Sequence, residues 1–146
     1  MGLLASIPEL FANSVELYGS RTLVSVDDHA VSFAEFAARV QLAAAALRAA
    51  GVQAGDRVVL LMPNSVDGLA LLVGAMQLGA LPAPINVRFG VLELNHILQE
   101  LEPRVIVVTE LAGFKRGLVQ VVAKVLGGAD VPSGEAGVFR PHDSGE

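Results

Sequence analysis

The chain has 146 residues, 53% of them hydrophobic and 17% charged, and a formal net charge of −5. That length suits a single domain, and the apolar share excludes global disorder. The acidic balance argues against a nucleic-acid partner, which requires a basic face; the lack of Cys excludes disulfides, thiolate metal sites and a cysteine nucleophile, and fits a reducing, cytoplasmic compartment.

Met1-Gly2-Leu3-Leu4-Ala5-Ser6 formally fits a myristoylation pattern. It has no basic flank and runs directly into a helical pattern, so it reads as an ordinary initiator region, and no signal peptide with a charged start precedes the helix. Residues 7–18 set Ile7, Leu10, Phe11, Ser14, Val15 and Tyr18 near helical spacing, and Gly19 stops that helix. Residues 22–26 predict a strand, Asp27-Asp28 a tight turn and 29–32 a return strand. Ser32 and Glu35 form a capping box that opens a helix over 33–50, with Phe36, Val40, Ala43, Ala44 and Leu47 on one face and Gly51 at its end. Past a turn at Gly55-Asp56, residues 58–62 are apolar on both faces, as in the centre of a parallel sheet. Pro63-Asn64-Ser65 starts a helix over 66–78, Gly79 stops it, and a short strand follows at 81–85. A helix over about 90–101, a doubly buried strand at 104–108 and a helix over about 111–126 complete the pattern.

The longest stretch without a charge, 68–87, approaches the length of a membrane-spanning helix. Pro82 and Pro84 would break such a helix, so the stretch reads as a buried helix followed by a buried strand, with no membrane span. Alternating apolar strands and helices predict an α/β fold: three layers, a mostly parallel sheet with helices on both faces. From Gly127 the chain turns polar and rich in Gly and Pro. Residues 1–126 therefore read as one α/β subdomain and 127–146 as a linker or flexible tail.

Standard catalytic motifs do not match. Gly74 and Gly79 have the spacing of P-loop glycines, but Ala80 and Leu81 stand where that loop needs Lys and Ser or Thr; helix packing and a helix stop explain the pair. Neither a GxGxxG fingerprint nor a GxSxG elbow occurs, and Ser65 reads as a helix-start residue. His29, His96 and His142 are isolated in sequence, and no helix carries a metal-binding His/carboxylate pair.

The order of segments is more specific than a generic α/β domain. Val31-Ser32-Phe33-Ala34-Glu35-Phe36 opens an Ala-rich helix; Gly51-Val52-Gln53-Ala54-Gly55-Asp56-Arg57-Val58 and Leu61-Met62-Pro63-Asn64-Ser65 follow. Then come Gly74-Ala75-Met76-Gln77-Leu78-Gly79-Ala80 and Pro84-Ile85-Asn86-Val87-Arg88. Over roughly residues 7–109 this series resembles the N-terminal part of the adenylate-forming acid–thiol ligases: acyl-CoA synthetases, luciferases and peptide-synthetase adenylation domains. The Asn86-Val87-Arg88 form is most similar to the fatty-acyl and aryl CoA ligases.

The resemblance implies an incomplete N-terminal subdomain of that fold and a two-step reaction: a carboxylate and ATP give an acyl-adenylate, and the thiol of CoA then displaces AMP. It implies ATP, Mg2+ and CoA for the whole enzyme and none of them bound by this chain alone. The family's phosphate loop, adenine-binding segment and lid lysine lie downstream of the matching region. The nearest stretch here, Val131-Pro132-Ser133-Gly134-Glu135-Ala136-Gly137, lacks the threonine pair and the lysine. One site residue carries over: Arg88, as a contact to the phosphates of CoA or as a surface arginine that fixes the loop after a strand. No catalytic residue and no metal ligand is assigned. The expectation is therefore an N-terminal fragment, truncated before the phosphate loop and inactive alone. Two alternatives stay open: a non-catalytic module that pairs with a separate C-terminal half or with itself, and a stand-alone α/β binding domain.

Overall fold

Ser6 and Ser32 each stand three residues before a glutamate, and both pairs close a capping box. At Ser32 the backbone N and Oγ donate to Glu35 Oε2 at 2.8 and 2.9 Å, while Glu35 N donates to Ser32 Oγ at 3.2 Å. At the starts of helix α1 (Ile7–Tyr18) and helix α2 (Phe33–Ala49) the amides of the cap serine and of the glutamate are thereby satisfied. The structure, a computed structural model, describes residues 5–26, 28–109, 117–126 and 136–139.

Between these helices, β1 (Thr22–Val26) and β2 (His29–Ser32) form an antiparallel pair, with Val24 opposite Val31 and Val26 opposite His29. Asp28 turns the chain with a φ of 63°; Asp27, the other half of the expected turn, lies outside the described residues. The main sheet has the order β4-β3-β5-β6. Strand β3 (Arg57–Leu61) is central and parallel to both β4 (Leu81–Pro84) and β5 (Val105–Thr109). Helix α3 (Val66–Gln77) links β3 to β4, α4 (Val91–Leu101) links β4 to β5, and α5 (Leu118–Val125) follows β5.

Alternation along the strands divides the core. Val59, Leu61, Ile106 and Val108 face α4 and α5 through Leu94, Leu98, Leu118 and Val122. Val58, Leu60, Val105 and Val107 face the opposite layer, where Leu47 of α2 and Ala75 of α3 cover them. A third cluster joins the hairpin to α2 and α3 through Val31, Phe36, Val40, Ala70 and Val73. Phe11 of α1 meets Phe36 edge-on, with ring centroids 5.5 Å apart. The architecture is the expected one: α/β, three layers, a mostly parallel sheet with helices on both faces.

Three features differ from the sequence-based expectation or refine it. The uncharged stretch 68–87 divides into α3 and β4, and among the described residues no helix is long and apolar enough to cross a membrane. The helix expected over 111–126 is described as Leu118–Val125, and residues 110–116 lie outside the described set. Within 127–146, expected as linker or tail, Ala136–Phe139 forms strand β6, antiparallel to β5. Phe139 is the physical reason, because its ring is buried in the α4/α5 cluster. The rest of that stretch lies outside the described residues.

Candidate functional site

The chain leaves the carboxyl end of β3 through Met62-Pro63-Asn64 and enters α3, where Ser65 caps the helix by accepting from Gly68 N at 3.0 Å. It leaves the neighbouring strand β4 toward α4, which packs on the other face of the sheet. Two adjacent parallel strands whose connections diverge to opposite faces leave a crevice at their carboxyl ends, the position at which open α/β sheets hold ligands. Such a crevice is present here, with a volume of about 410 Å³.

Its walls come from four segments. Val24 and Val26 of β1 form one side, Leu60 and Met62 the end of β3, Val66, Leu69 and Leu72 the side of α3, and Pro84 the end of β4. Ser25, Asn64 and Ser65 supply the polar groups, and the Ser65 hydroxyl is engaged in capping. No ionisable side chain is among the described lining residues, so the crevice suits an apolar group and offers a charged one no counterion.

Arg88 stands on the turn after β4. Its backbone N donates to Asn86 Oδ1 at 3.0 Å, and Phe89 N donates to Asn86 O at 3.1 Å, so Asn86 holds the turn twice. Arg88 itself is exposed and does not line the crevice. The structure thus does not bring Arg88 together with Ser65, Asn64 or the crevice walls. His29 and His96 are both exposed, and His142 lies outside the described residues. Among the described residues no three His, Asp or Glu side chains are grouped to hold a metal ion. Sequence reasoning identified Pro63-Asn64-Ser65 as a helix start and missed the crevice. The available signal was that strand-to-helix junction, but β1 and Leu72 join it only through tertiary packing.

Elsewhere, charged groups serve the frame. Arg57 Nε donates to Leu101 O at the end of α4, and Asp56 Oδ2 accepts from Gln53 N at 2.8 Å. Arg39 and Asp67 form an exposed ion pair at 2.6 Å between α2 and α3; exposed pairs of this kind contribute little. The carboxyls of Glu9 and Glu35 are held below the ordinary 4.5, chiefly by the backbone hydrogen bonds from Ser6 and Ser32.

Comparison with known proteins extends the picture. The long-chain-fatty-acid–CoA ligase FadD13 of Mycobacterium tuberculosis is 40% identical over 80 residues, which is 55% of this chain and 16% of that protein. A feruloyl-CoA synthase of Amycolatopsis sp. is 44% identical over the same share of each chain. The chain therefore spans about a sixth of the length of these relatives. The inhibitor-bound crystal structure of the N-terminal domain of FACL13 from Mycobacterium tuberculosis superposes with a TM-score of 0.74 at 30% identity, over 88% of this chain and 31% of that one. The AMP-binding enzyme family matches residues 11–139, most of the sequence, and the chain belongs to that family.

Proposed function

We propose that this chain supplies the N-terminal subdomain of an ATP-dependent acyl-CoA ligase and does not form acyl-adenylate by itself. The observation that carries the reading is the family match over residues 11–139, joined to the small share of each ligase relative that the chain spans. Residues 1–126 are taken as the subdomain and 127–146 as the linking segment, from which 136–139 joins the sheet; a cytoplasmic location goes with the reading. ATP and Mg2+ need cations, amides and carboxylates gathered around a triphosphate. The described residues at these two places do not make such a cradle: Arg88 is exposed on a turn, and the crevice has no ionisable side chain among its described lining residues.

Pyrophosphate release tests the reading. The purified chain, given ATP, Mg2+ and laurate or ferulate, is expected to release none above the buffer rate. A chimera in which residues 11–139 replace the matching segment of the Mycobacterium tuberculosis ligase FadD13 is expected to release it. Sustained release by the chain alone overturns the proposal.

Arg88 is assigned the phosphates of CoA, which its planar guanidinium can clamp. Its exposure beyond an anchored turn supports this. In the chimera, Arg88→Ala is expected to raise KM for CoA about tenfold, the loss of one charge-assisted contact, and to leave KM for ATP unchanged. An unchanged KM for CoA assigns the residue to the turn alone. A second reading, a non-catalytic module that pairs with another chain, is favoured by one observation: among the described residues β6 has a neighbouring strand on one side only.

A further inference from the structure

The two ends of the main sheet differ in chemistry. At the amino-terminal end Asp56, Arg57, Glu102 and Arg104 stand around one depression, and Arg57 pairs with Glu102 at 3.7 Å. Charged side chains keep that end in water. At the carboxyl end, the crevice carries no ionisable side chain among its described lining residues. Large apolar side chains stand bare at its mouth instead: Val26 of β1 is 36% exposed and Leu69 of α3 is 41% exposed. Single exposed apolar residues are ordinary, but these two flank a hollow of about 410 Å³. Apolar residues grouped around a concavity mark a surface that something covers.

Three kinds of occupant meet different obstacles. A small ligand needs polar groups that converge on it and fix its orientation. The Ser65 hydroxyl is committed to Gly68 N at 3.0 Å, which leaves Ser25 and Asn64, both on the exposed side of the crevice. A second copy related by a two-fold axis sets the same patch against itself, hollow against hollow, and fills neither. A protein segment held by its own chain needs no orienting groups. The chain spans only 31% of the N-terminal domain of FACL13 on which it superposes, so the greater part of such a domain lies outside it. We infer that the crevice seats an uncharged, apolar segment from the remainder of the ligase, beyond the matched residues 11–139, which rests on the reading that the chain is part of one. That segment takes Val26 and Leu69 out of water. It carries no charge, because the crevice offers none a counterion. The amino-terminal end stays solvated.

The chain has no Cys, so a single introduced thiol reports local access to the neutral reagent N-ethylmaleimide. Val26→Cys and Leu69→Cys report the crevice, and Ala54→Cys, exposed on the turn before β3, reports the amino-terminal end. Each is made in the chain and in the FadD13 chimera, with adducts assigned peptide by peptide by mass spectrometry. In the chain alone all three are expected to react freely. In the chimera, positions 26 and 69 are expected to slow at least about tenfold, the mark of a covered site, while position 54 does not change. Equal rates at 26 and 69 in the chain and in a cooperatively melting chimera overturn the inference. So does slow reaction there in the chain alone, or protection that grows with the chain's own concentration, since the crevice then already has another occupant. Where the chimera does not melt cooperatively, Nile red decides. The chain alone is expected to bind this uncharged dye, Leu69→Lys to lose it, and Leu42→Lys, exposed on α2, to keep it; a chain that leaves the dye dark overturns the inference. A chimera that releases pyrophosphate with both positions open sinks this inference alone, and release by the unaltered chain sinks only the ligase reading.

Discussion

The carboxylate of Glu35 accepts two hydrogen bonds from Ser32, and the folded chain holds it below the ordinary 4.5. Between the lowered value and 4.5 the unfolded state binds more protons, so stability rises with pH there. The contribution is complete above 4.5 and is lost as pH falls through the lowered value; Glu9 adds to it in the same direction. Urea titrations at about pH 5 and about pH 3 should show a fall in stability that Glu35→Gln reduces, and an equal fall in both proteins contradicts this. Ser32→Ala, which removes the hydroxyl of the same box, is expected to cost about 1 kcal/mol at neutral pH. The Ser32–Glu35 box was legible because both partners lie within one turn of sequence. The Ser6–Glu9 box has the same spacing, but the structure is what brings it out; the spacing of Ile7, Leu10 and Phe11 points to that helix without it.

Helices α2 and α3 cross where Gly74 lies against α2. A Cβ on Gly74 would stand 2.9 Å from Ala44 N and 3.2 Å from Val40 O, both backbone atoms that cannot yield without moving the helix. Gly74→Ala is therefore expected to cost about 2 kcal/mol, read as a shift of the urea midpoint without a change of slope. Gly79, at the end of the same helix, has a φ of 73°, so the two glycines that mimic a P-loop spacing serve packing and chain reversal, as their neighbours Ala80 and Leu81 indicate. Elements with strong periodicity were readable to within a residue or two, from α1 to α4. Strand β6 was not: its four residues carry too short an alternation, and only contact with β5 gives Phe139 a place to go. The crevice was hidden for a related reason, since its walls meet from β1, β3, α3 and β4 and no local pattern announces their meeting.

At the scale of the molecule, Phe139 ties a Gly- and Pro-rich stretch to the core built by α4, α5, β3 and β5. Phe139→Ala is expected to cost about 3 kcal/mol, measured as chemical denaturation of the whole chain; a change below 0.5 kcal/mol, the usual reach of a surface substitution, returns 136–139 to the status of an appendage. The central strand has a further consequence. Because Val58 and Leu60 are as apolar as Val59 and Leu61, and both sets are buried, sliding β3 by one residue exposes no oil and hides no charge from the strand's own middle. Hydrophobicity cannot choose its alignment. The choice falls to the amino-terminal rim, where Gly55 N meets Gly79 O at 2.9 Å, Leu81 N meets Asp56 O at 2.8 Å and Arg104 N meets Arg57 O at 2.8 Å. Those three clasps, far from the crevice, decide which side chains reach it.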